Sequence, residues 1–130
     1  MKPLLNLAIF IFVSGIYAQQ NTKIYDIIND VSADRIEEDI RKLAGFGTRN
    51  TFSDTISETR GIGAARRWIK SEFEKISKNC GGCLEVFYQR KMVTTDMGRR
   101  VPKDAEAVNV VAILKGTQNP NSYVMMSGDI

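Results

Sequence analysis

In the stretch "VSADRIEEDIRKLAG", Ile36, Ile40 and Leu43 stand four and three residues apart, a spacing that predicts a helix with Glu37, Glu38 and Asp39 on its outer side. Ser32 is placed to cap the amino end, and Val31 and Ile36 have the separation of a hydrophobic staple. Gly45 suits a left-handed residue that closes the helix. The residues just before Val31 read as a polar lead-in. A polar loop, "FGTRNTFSDTISET", then separates this helix from a second in "RGIGAARRWIKSEFEKIS". There Ile62, Ala65, Trp68 or Ile69, Phe73 and Ile76 form a wide apolar face that must be buried, with Trp68 in a packing role.

Past Cys83 the period changes. "LEVFYQRKMV" is rich in β-branched and aromatic residues, "AVNVVAILKG" is almost continuously apolar, and "SYVMMSG" is apolar at both alternating sets of positions. Three strands are predicted, the last two paired antiparallel across "GTQNPNS". Runs apolar on both faces fit a sheet covered by helices on each side. The link "TTDMGRRVPKDAE" is polar and basic and is expected to be mobile. No internal repeat or low-complexity segment interrupts the chain. The fold class is α/β, with amino-terminal helices followed by the first strands of a sheet.

The extreme amino end adds a compartment. Met1 and Lys2, the apolar run from Leu4 to Val13, and the small residues Ser14, Gly15 and Ala18 have the layout of a cleavable export signal, with the cut expected after Ala18. The product is expected to be secreted or periplasmic, with residues 19–130 forming one domain of modest core or part of a larger one. The run is shorter than the ~20 apolar residues needed to cross a bilayer, so no stable membrane anchor is expected. Lys2 is the only charge in the signal, so its removal takes the formal balance from +3 to +2. The basic groups Arg66, Arg67 and Lys70, and Arg90, Lys91, Arg99, Arg100 and Lys103, read as solvated faces. They do not indicate a nucleic-acid partner.

Cys80 and Cys83 enclose two glycines in "NCGGC", between a predicted helix and a predicted strand. A redox dithiol needs its first cysteine at a helix amino end, and tetrahedral zinc needs more ligands than this pair. What remains is a small disulfide loop or an inert turn. The sequence contains no histidine and no glycine-rich phosphate loop, and no acidic residues converge before Asp129. No catalytic residue is assigned within the chain.

The order of motifs carries further. "IRKLAGFGTRNTFSDTISETRGIGAARRWIKSEFEKI" followed by "NVVAILKGTQNPNSYVMMSGD" resembles the amino-terminal part of the secreted di-zinc aminopeptidases of metallopeptidase family twenty-eight. The resemblance rests on four features: Gly47, Thr48 and Arg49 after a helix; Ala64, Ala65, Trp68 and Ile69 on the apolar side of the next; Asn109 and Val110 opening a strand; and Ser127 and Gly128 closing another. It implies a mixed sheet of the zinc-exopeptidase, phosphorylase/hydrolase-like kind. It also implies two zinc ions that activate a water, and peptide or protein substrates attacked at their amino end. Asp129 stands where the family has its first zinc-binding histidine, and the bridging aspartate would follow Ile130. The chain therefore resembles an incomplete domain whose other ligands and glutamate base lie beyond it. Asp129 remains open to two other readings: the bridging aspartate in a shifted alignment, or a plain turn residue. A non-catalytic secreted module of the same fold is the alternative to an enzyme.

Overall fold

The structure, a computed structural model, describes residues 22–130; the export segment and its cleavage point lie outside them. The order is α1 (Thr22–Asn29), α2 (Ala33–Gly45), α3 (Gly61–Asn79), β1 (Leu84–Val93), a 3-10 turn (Thr95–Met97) and β2 (Ala105–Leu114). These are helices followed by strands, an α/β arrangement with an incomplete sheet. The chain divides into two compact units after Ile36, within α2.

In the first unit, α1 replaces the expected polar lead-in. Ile24, Ile27 and Ile28 recur at three and four residues along it, and all three remain exposed. The helix has only 8 residues and no acidic residue in its first turn, so it lacks the usual start signal. The Ser32 hydroxyl accepts a hydrogen bond from the Arg35 amide at 3.2 Å, which caps α2 as the sequence suggests.

In the second unit, α2 ends two residues earlier than its left-handed glycine. Gly45 is the last helical residue, and Gly47 takes the positive φ of 73°. The Phe46 and Gly47 amides close the turn onto the Leu43 and Ala44 carbonyls. Phe46 is thereby turned inward, where it packs with Ala64 and Ala65 beside Leu43 and Trp68. Its ring centroid lies 6.2 Å from that of Trp68. Burying such a ring contributes roughly 1.5–3 kcal/mol, so this small cluster helps hold the end of α2 to the start of α3.

β1 and β2 form an antiparallel pair running from Leu84 opposite Leu114 to Val93 opposite Ala105. Leu84, Val86 and Tyr88 alternate with exposed residues on the side that meets α3. The Ser77 hydroxyl ties helix to strand, accepting from the Leu84 amide at 3.2 Å and donating to its carbonyl at 2.9 Å.

The strand pairing differs from the expected one. The second strand pairs with the first rather than with residues 122–128, which adopt no regular structure. Asn119 and Ser122 do close a turn at 3.0 Å, but Tyr123, Val124, Met125 and Met126 beyond it are exposed, Val124 at 97%. A strand apolar on both faces gains its stability from a paired neighbour and from cover on both sides. Among the described residues α3 packs against the strand pair, and nothing covers this segment. The polar, basic link forms the hairpin loop between the strands, where the Thr95 amide donates to the Asp104 carboxylate at 2.9 Å.

Candidate functional site

The loop of residues 46–60 is held onto the amino end of α3 by a set of backbone contacts. Arg60 is in extended conformation before the helix and offers no side-chain cap. Other groups satisfy the first amides: Gly61 donates to the Phe46 carbonyl at 2.9 Å, Ile62 to the Ser53 hydroxyl at 3.0 Å, and Gly63 to the Asp54 carbonyl at 3.0 Å. Gly63 lies against the Thr55 carbonyl too closely for any side chain, and Gly61, with φ 77°, lies against Asp54 in the same way.

Inside this loop the Asp54 carboxylate accepts from the amides of Ile56 and Ser57 at 2.7 and 2.9 Å. The Ser57 and Ile56 amides, in that order, hold its carboxyl below the ordinary aspartate value. Arg67 reaches back from α3 and donates to the carbonyls of Thr55, Ile56 and Ser57. Arg49 does the same at the other end of the loop, donating to the Leu43 carbonyl. The Gly-Thr-Arg segment is thus a structural clamp, with Arg49 closing the carboxyl end of α2.

Between this loop, α3 and the hairpin lies a cleft of about 470 Å³. Arg66, Tyr88, Arg90 and Glu106 line it, with Thr51 and Lys103 at its loop sides. Arg90 pairs with Glu106 at 2.5 Å and lies 5.0 Å over the Tyr88 ring. Arg66, grouped by sequence with a solvated basic face, is in fact buried, with 8% exposure. Periodicity signals this: Arg66 lies four residues after Ile62 on α3 and shares its buried side, where an arginine is rare. Burial lowers the pKa of its guanidinium, and neighbouring Arg90 lowers it further, against smaller opposing effects of Glu106 and Tyr88.

The residues singled out for metal and thiol chemistry lie elsewhere. Cys80 and Cys83 are joined in a disulfide across the α3-to-β1 turn, with Cα atoms 5.5 Å apart. Gly81 and Gly82 both have positive φ, which lets so short a loop close. Asp129 is exposed in the irregular segment after Ser122. Among the described residues no three His, Cys, Asp or Glu side chains converge as metal ligands. A hydrolytic zinc centre uses about three protein ligands, so the residues present do not make one. No helix among them is long and apolar enough to cross a membrane.

No family model and no solved structure matches the chain. Curated relatives do. A probable zinc metalloprotease of Pyrenophora teres f. teres is 36% identical over 103 residues, 79% of this chain and 22% of the relative. One of Phaeosphaeria nodorum is 35% identical over 102 residues, 78% of this chain and 21% of the relative. One of Pyricularia oryzae is 38% identical over 101 residues, 78% of this chain and 20% of the relative. The chain thus spans about a fifth of the length of the curated relatives it matches, and over most of its own length it is similar to proteins named as probable zinc metalloproteases.

Proposed function

We propose that this chain is the amino-terminal portion of a secreted, zinc-dependent aminopeptidase that hydrolyses peptides or proteins from their free amino end. The observation that carries this is the similarity, at 35–38% identity over about four-fifths of the chain, to relatives named as probable zinc metalloproteases. The ordered Gly-Thr-Arg, Asn-Val and Ser-Gly segments narrow it to the di-zinc aminopeptidase pattern. The cleavable signal over residues 1–18 and the Cys80–Cys83 disulfide favour an oxidising, extracytoplasmic destination.

In this reading the described residues supply scaffold. α3 and the hairpin form a platform, the 46–60 loop braces it, and Asp129 is the one donor offered to a centre of two zinc ions. The other ligands and the general base belong to polypeptide outside residues 1–130. A carboxylate in place of a neutral imidazole adds negative charge and favours harder metals. That substitution is also what favours the second reading, a non-catalytic module of the same fold.

Hydrolysis separates the two. The complete gene product is expected to release the first residue of a peptide with a free amino terminus and to leave its acetylated counterpart intact, with chelator abolishing the activity. Equal cleavage of both peptides would refute the aminopeptidase assignment. In the same protein, Asp129→Ala is expected to weaken zinc binding at least tenfold; unchanged zinc content would remove Asp129 from the centre.

A further inference from the structure

We propose that the cleft between the 51–55 segment, α3 and the hairpin is an oxyanion site, with the guanidinium of Arg66 as its anchoring donor. Arg66 is more than nine-tenths buried and lines the cleft, yet its Nε is sealed from solvent without a hydrogen-bond partner. Its guanidinium makes no ion pair among the described residues, whereas Arg90, Arg67 and Asp104 beside it are engaged. Arg90 holds Glu106 at 2.5 Å, Arg67 is spent on the loop carbonyls, and Asp104 accepts the Thr95 amide at 2.9 Å. A guanidinium largely withdrawn from water, with one N–H sealed and unbonded, gains from an anionic partner, so Arg66 suits one.

The surroundings favour the same ligand. Four cationic side chains line the cleft against two acidic ones, Asp104 and Glu106. The hydroxyls of Thr51 and Tyr88 line it as well and are uncommitted among the described residues. The amino end of α3 is no substitute donor, because its first three amides are already bonded to the loop. A guanidinium fork matches a carboxylate or phosphate-like group bidentately, and a volume of about 470 Å³ leaves room for the body that carries it. The oxyanion has two sources: a dissolved ligand, or an acidic side chain of the same polypeptide.

The thermal midpoint of the complete gene product, followed in sodium sulfate against sodium chloride at matched ionic strength, tests the site and separates the sources. Arg66→Met keeps the apolar stem and removes the charge; Arg66→Lys keeps the charge and removes the fork. A saturable sulfate-specific rise in wild type, with apparent affinity at least tenfold weaker in Arg66→Met, establishes a site for a dissolved oxyanion. No sulfate response in wild type, with Arg66→Met melting lower and Arg66→Lys recovering part of the loss, assigns the oxyanion to the polypeptide. An Arg66→Met protein that melts at or above wild type in both salts overturns the proposal, because an unpartnered buried charge is relieved by its removal. Failure of both variants to fold, with no sulfate response in wild type, overturns it as well.

Discussion

Gly63 of α3 and Thr55 of the preceding loop are in direct backbone contact: the Thr55 carbonyl oxygen occupies the space that a Cβ at position 63 would need. The loop cannot move away cheaply, because the Gly63 amide is bonded to Asp54 and three carbonyls of the loop are held by Arg67. Gly63→Ala is therefore expected to destabilise the protein by roughly 1–3 kcal/mol. Gly45→Ala, at a helical position with nothing within 4 Å of the added methyl, should instead stabilise it by up to about 1 kcal/mol. Chemical denaturation of the two variants beside wild type checks both signs. Equal stability of the two would contradict the packing described.

Acid should loosen the same loop through Asp54. Its folded pKa lies below the ordinary value because the Ser57 and Ile56 amides bond its ionised form. A carboxyl with a depressed folded pKa stabilises above its unfolded pKa and loses that contribution as pH falls through the folded value. The Ile56 and Ser57 amide resonances are expected to titrate with a midpoint below the ordinary aspartate value of 3.8. In Asp54→Ala the transition should disappear. A midpoint at or above the ordinary value would show that these bonds are not maintained in solution.

The Cys80–Cys83 disulfide closes a turn of four residues, too short a loop for a large entropic effect. A double serine variant is expected to lose about 2 kcal/mol or less. Wild type should not reduce insulin, because Cys80 follows α3 and no helix amino end stabilises a thiolate there. Insulin reduction by wild type that vanishes in the double serine variant would establish redox catalysis instead.

Much of the fold was legible because its signals are local. The four- and three-residue spacing of Ile36, Ile40 and Leu43, the Ser32 cap and the apolar side of α3 are visible along a few turns of chain, and β1 shows the alternation of a half-covered strand. What was not legible depends on partners. Tyr123 to Met126 have strand composition, yet composition does not supply the neighbouring strand or the covering helix that would make them one. α1 was hidden by its shortness.

The candidate site divides the same way. A role for Asp129 came from the order of motifs alone, and in the structure it stands exposed in irregular chain. Arg66 was hidden by its identity, since a charged residue beside Arg67 looks solvated until the buried positions Ile62 and Ala65 around it are considered.

Zinc-dependent release of an amino-terminal residue is the property on which the proposed function stands. The complete gene product, stripped with chelator and assayed on a free-amino peptide before and after zinc is returned, is expected to be inactive when stripped and to regain activity with zinc. Residues 19–130 alone should release nothing under either condition, because the described residues hold no converging set of metal ligands. A zinc-loaded complete protein that leaves the peptide intact would contradict the aminopeptidase assignment, and hydrolysis by residues 19–130 alone would contradict the placement of the catalytic groups outside this chain.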